Sequence, residues 1–164
     1  MSGLLVHKDL DRRELTFERE LPATVERVWR SWTTVAGLEA WWGPAGWVTT
    51  VRALEVHPGG LWHFGMGPAA RMPEVWIRSV YSEVVPHALL SYVEAFSDES
   101  GADLDPEANA VTVEFIGFDE GRTRLVMRTR FASDERLARV IRMGVVTGWT
   151  GAFDRLAERL EEQA

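Results

Sequence analysis

From Trp47 to Phe131 the chain lays six alternating apolar segments end to end, then abandons that period for a helical one. The segments are Trp47–Val56, Leu61–Met66, Glu74–Val85, Leu89–Phe96, Ala110–Phe118 and Arg122–Phe131. Turn signals divide them: His57-Pro58-Gly59-Gly60, Pro86-His87 and Asp119-Glu120-Gly121. A period of two marks strands with one buried face, and near-continuous hairpin spacing predicts an antiparallel meander. Residues 67–73 read as a loop, and the acidic stretch 97–109, which has no apolar period, reads as a longer one whose role as a lid is open. Such a sheet has an apolar face that something must cover.

The cover follows at once. Ser133 or Asp134 caps a segment whose apolar face carries Ile141, Val145, Trp149, Ala152, Phe153, Leu156 and Leu160, predicting one helix to about Glu161, roughly 40 Å long. Gly144 and Gly148 fall inside it, each costing about 1 kcal/mol relative to alanine, so a close approach by sheet or ligand is expected there.

Before the meander, Arg13–Glu20 alternates as a first strand. Thr24 caps a short helix with Val25, Val28, Trp29 and Trp32 on one stripe, and Thr34 caps a second with Leu38, Trp41 and Trp42. Gly43-Pro44 stops it. Adjacent helical side chains diverge, so one of Trp41 and Trp42 is expected beneath the sheet and the other near its rim. The fold class is α+β: an antiparallel sheet of about seven strands around a long C-terminal helix, with two short helices after the first strand.

A chain of 164 residues can bury a real core without staples, and residues 1–164 read as one domain with its core over about 13–160. No cysteine is present, which removes disulfides, thiolate metal sites and a cysteine nucleophile. A formal charge of −7 without a basic stripe argues against nucleic acid and anionic membranes. No stretch has the length of a signal-peptide core or a membrane span, and the expected location is cytoplasmic.

Four segments in register carry a family resemblance: ELPATVERVWRSWTTVAGLEAWWGPAGW, LEVHPGGLWHF, VYSEVVPHALLSYVEAF and RMGVVTGWTGAFDRLAERL. In order and spacing the chain resembles the bacterial branch of the activator-of-heat-shock-protein-90-ATPase homologue family, within the START-like (SRPBCC) superfamily. The resemblance runs from about Arg13 to Leu160 and implies the helix-grip fold. A helix laid across a curved sheet leaves a cavity, typically several hundred Å³ in ligand-binding proteins. The expected partner is a small hydrophobic or aromatic molecule. The family's co-chaperone role is an alternative, and a cyclase- or dehydratase-type activity on a polyketide-like substrate is a third reading. A homodimer and a chaperone contact stay open as protein partners.

Strand parity nominates the ligand-facing residues. They are Trp62, Phe64 and Met66; Tyr81; Tyr92 and Glu94; Phe115; Met127; and, from the helix, Met143, Gly144 and Thr147. Arg52, Leu54 and Val56 are read on one inward parity as well. Glu94 stands out on an otherwise apolar parity, where a carboxylate needs a partner or a raised pKa, and Arg19 or Arg52 could supply the charge. No catalytic residue, metal ligand or cofactor is assigned. His57, His63 and Glu55 match no established ligand spacing, and a Glu94/His63 acid–base pair would need both on one sheet face.

Overall fold

A computed structural model describes residues 3–69, 73–104 and 107–163; residues 70–72 and 105–106 of the two expected loops lie outside it. Eight antiparallel strands form one curved sheet: β1 (Leu5–Asp9), β2 (Glu14–Leu21), β3 (Trp47–Leu54), β4 (Leu61–Pro68), β5 (Val75–Val85), β6 (Leu89–Ser97), β7 (Asn109–Phe118) and β8 (Arg122–Arg130). Their order across the sheet is β1-β2-β8-β7-β6-β5-β4-β3, so β3 to β8 run as the expected meander and β2 adds to its far end. Between β2 and β3 come α1 (Val25–Thr33) and α2 (Val35–Trp41), which carry the chain from one side of the sheet to the other. Thr24 and Thr34 cap them, each hydroxyl accepting from a backbone N–H three residues on.

Three expectations need correction. The sheet has eight strands, so the short helices follow the second. The additional strand, β1, is a mostly exposed edge whose polar sequence carries no alternation to read. In β3 the register slips between Val51 and Ala53, so Val51 pairs with Phe64 and Leu54 with Trp62. That bulge turns Arg52 outward and breaks the parity assigned to it.

The third correction concerns the C-terminal segment. It is not one helix but α3 (Asp134–Arg142) and α4 (Val145–Glu162), separated by Met143-Gly144. Gly144 takes φ 84° in the left-handed region, which ends α3 and redirects the chain. A Cβ at Gly144 or Gly148 would meet nothing within 4 Å, so neither glycine marks a close approach. At 1.5 Å per residue, α4 is about 27 Å long. The two glycines therefore predict opposite effects. Gly144→Ala is expected to destabilise by about 1–2 kcal/mol through its backbone angle. Gly148→Ala, inside a helix and facing open space, is expected to stabilise by up to about 1 kcal/mol. Urea denaturation of the two variants measures both, and equal signs would contradict this account.

The buried side chains form one cluster between the concave sheet face and the helices. Its centre is aromatic. Trp42 leaves the helix in an extended conformation (ψ 142°), so the divergence expected of two helical neighbours does not apply, and both tryptophans are buried. Trp41 lies 5.9 Å from Phe153 and donates its indole N–H to the Ser31 carbonyl. Trp42 packs edge-on against Trp32, Trp62 and Trp149 at 5.2, 4.8 and 5.0 Å between ring centroids. Arg155 of α4 donates to the carbonyls of Trp41 and Gly43, satisfying groups that the end of α2 leaves open. This packing fixes α4 over one half of the sheet.

Candidate functional site

The other half lies under the helix break. Strand registers bring Leu15, Thr129, Val111, Tyr92 and Tyr81 into one row across the concave face. The next row carries Asn109, Glu94, Ser79 and Trp62. Between these rows and the α3–α4 turn is a cavity of about 190 Å³. Leu15, Phe17, Tyr92, Val111 and Thr129 form its floor, and Val140, Val145 and Trp149 its roof. Glu94, Asn109, Arg136 and Arg139 make one end polar. Phe96 and Met143, 51% and 77% exposed, flank the mouth.

This volume is smaller than the several hundred Å³ expected from the fold. Trp42, Trp62 and Phe64 occupy the space beneath α4, ring against ring, and the break leaves room beside them. A larger depression of about 750 Å³ lies by the β1–β2 turn, lined by Lys8, Asp11, Arg12 and Arg128 among others. It is open, charged and on the convex side, since Arg128 pairs with Thr16 on the parity opposite to Leu15. It lacks the apolar enclosure of a small-molecule site.

Glu94 dominates the electrostatics. Burial pushes its carboxyl up to about 7, against the opposing pull of a hydrogen bond from Asn109 and the positive charge of Arg136. Arg136 is held near the start of α3, 3.9 Å from Glu107, with its guanidinium 5.6 Å over the Phe96 ring. Burial also pushes the Tyr92 hydroxyl well above its ordinary value, with Glu94 and Tyr81 adding to the effect. Asn109 is 9% exposed, and its Oδ1 is buried without a hydrogen-bond partner. The polar end therefore presents a carboxyl that keeps its proton to near neutrality, beside an unused acceptor.

The cation beside Glu94 corrects the sequence expectation. Arg19 instead pairs with Asp154 at 2.6 Å, and Arg52 with Glu99 at 2.7 Å. His63 cannot join Glu94 in acid–base work, because it pairs with Arg78 in the register where Glu94 faces Ser79, on the opposite side of the sheet. Its Nε2 lies 3.0 Å from the Asp98 carbonyl oxygen. His57 is exposed with Nδ1 beside the Pro58 carbonyl, and Glu55 accepts from the Leu61 N–H.

Of the residues nominated from parity, Tyr92, Glu94 and Met143 stand on the cavity wall. Trp62, Phe64, Tyr81, Phe115 and Met127 are in the packed core, and Met66 is half-buried. Gly144 forms the turn between helices and Thr147 is exposed. Asn109, Arg136 and Trp149 also line the cavity but were not nominated. Asn109 continues the parity of Val111, Val113 and Phe115, and that signal could have found it.

Residues 22–161 match the family model described as Activator of Hsp90 ATPase homolog 1-like protein. The chain belongs to this family. Solved structures agree with the assignment. A crystal structure of a Mycobacterium smegmatis protein is 28% identical, covers 96% of this chain and 97% of its own, and superposes with a TM-score of 0.85. The solution structure of an Arthrobacter aurescens protein is 27% identical over 98% of this chain and 93% of its own, with a TM-score of 0.88. The AHSA1 protein of Silicibacter pomeroyi is 22% identical over 92% of this chain and 99% of its own; at a TM-score of 0.72 it supports the fold. No curated protein sequence matches the chain. As a member of the family, it is compatible with small-molecule or protein partners. Among the described residues, no helix is long and apolar enough to cross a membrane.

Proposed function

We propose that this family member binds a small hydrophobic or aromatic molecule in the cavity beneath the α3–α4 break. The observation that carries the reading is the cavity itself. It lies between sheet and helices, half open to solvent, apolar along most of its wall, and polar at one end where Glu94 and Asn109 meet. Convergent polar groups in an apolar pocket orient a guest, and the apolar wall supplies affinity. The exposed Met143 and Phe96 mark the route in, and methionine adapts its shape to what passes.

Native mass spectrometry of gently purified protein, followed by denaturing extraction, tests this. The expected result is a small-molecule mass excess that disappears on extraction and is absent from Val111→Phe, whose added ring occupies the floor of the cavity. An excess retained in that variant would place the guest elsewhere. A second reading, acid catalysis on the bound guest, draws on Glu94 alone, whose carboxyl titrates near 7 within the cavity. It requires that the extracted molecule be chemically altered on incubation with wild-type protein and unaltered with Glu94→Gln.

A further inference from the structure

We propose that the cavity selects a single-ring phenol, bound ring inward with its hydroxyl between Asn109 and Glu94; this rests on the binding reading above. Size sets the first limit. An apolar cavity of about 150 Å³ accepts benzene, and about 190 Å³ here accommodates one ring with a short polar substituent. Phe17, Val111 and Trp149 offer the apolar wall such a ring needs.

The polar end sets the second limit. Asn109 is nine-tenths buried and its Oδ1 has no partner. That acceptor is already shut off from solvent, so a guest hydroxyl that turns toward it gains a hydrogen bond that a guest without a donor cannot supply. A hydroxyl meets both neighbours at once: its O–H donates to Asn109 Oδ1, and its oxygen accepts from the Glu94 carboxyl. The carboxyl holds its proton up to about pH 7, so it can donate. A ring carboxylate, although Arg136 and Arg139 line this end, carries no O–H for Asn109 Oδ1 and would set its oxygens against that acceptor.

Isothermal titration of the wild-type protein with phenol, toluene and benzoate, at about pH 6 where Glu94 keeps its proton, decides the matter. The expected result is phenol binding about tenfold or more tighter than toluene, with benzoate weaker than phenol. Asn109→Leu is expected to abolish or reverse the preference for phenol over toluene; the wild-type ratio decides alone if that variant fails to fold. Toluene binding as tightly as phenol, or benzoate binding best, would overturn the phenol assignment and leave cavity binding standing. No binding of any of the three would also overturn the assignment. Cavity binding itself would fall only if the native mass spectrum also showed no bound small molecule.

Discussion

Trp42→Ala is expected to cost about 3–5 kcal/mol of unfolding free energy, the range for deleting a large aromatic from a packed core. The position is more sensitive than its place at a helix end suggests. Trp42 is the point where α2, the sheet and α4 meet: its ring contacts Trp32 and Trp41 from the helices, Trp62 and Phe64 from β4, and Trp149 from α4. Each edge-on aromatic pair is worth about 0.5–1.5 kcal/mol beyond its buried area. Domains of this size are stable by only about 5–15 kcal/mol, so the loss would bring the protein close to unfolding at ordinary temperature. Trp42→Phe keeps part of the packing and should lose clearly less. Urea denaturation monitored by far-ultraviolet circular dichroism measures both. A loss below about 1 kcal/mol for Trp42→Ala would show that the aromatic cluster does not hold α4 to the sheet.

The second large effect is a pH dependence set by Glu94. Its carboxyl titrates near 7 in the folded protein, against 4.5 as the ordinary value. Between those two values the folded chain holds a proton that the unfolded chain has released. Stability from this group therefore falls as pH rises from about 4.5 to about 7, and levels off above; the shift corresponds to about 3 kcal/mol. Glu94→Gln removes the titration while keeping a side chain that can meet Asn109. It should be more stable than wild type at about pH 8 and nearly equal to it at about pH 4. Parallel stability curves for the two proteins across that range would mean that Glu94 is not desolvated as the structure places it.

Both effects lie where sequence and structure partly diverge. The meander was legible because its segments carry a period of two in the sequence and its turns are marked by glycine, proline or aspartate. The helix caps at Thr24 and Thr34 were equally plain, being short-range hydrogen bonds that a four-residue window contains. What escaped reading depends on long-range geometry. Trp41 and Trp42 share one cluster because the helix ends between them, and a residue's place at a helix end cannot be read from helical spacing. Arg52 turned outward because β3 carries an unsignalled bulge. The C-terminal segment kept an apolar period across Met143-Gly144, so a single helix was the simpler reading, yet one left-handed glycine divides it and leaves the cavity beneath. Within the site, Glu94 was legible as a carboxyl out of place on an apolar parity. Its partners were not, because Arg136 reaches it from α3, forty-two residues along the chain, whereas Arg19 and Arg52 are claimed by Asp154 and Glu99.

Binding beneath the α3–α4 break is decided by where a guest goes. Amide and indole NMR spectra of uniformly nitrogen-labelled protein, titrated separately with phenol and with toluene, read that location residue by residue. The expected shifts are concentrated at Glu94, Asn109, Val111, Met143, Val145 and the Trp149 indole, all on the wall beneath the α3–α4 break. Shifts centred instead on the polar groove at His7–Arg12, or none at the cavity residues with either compound, would contradict binding there.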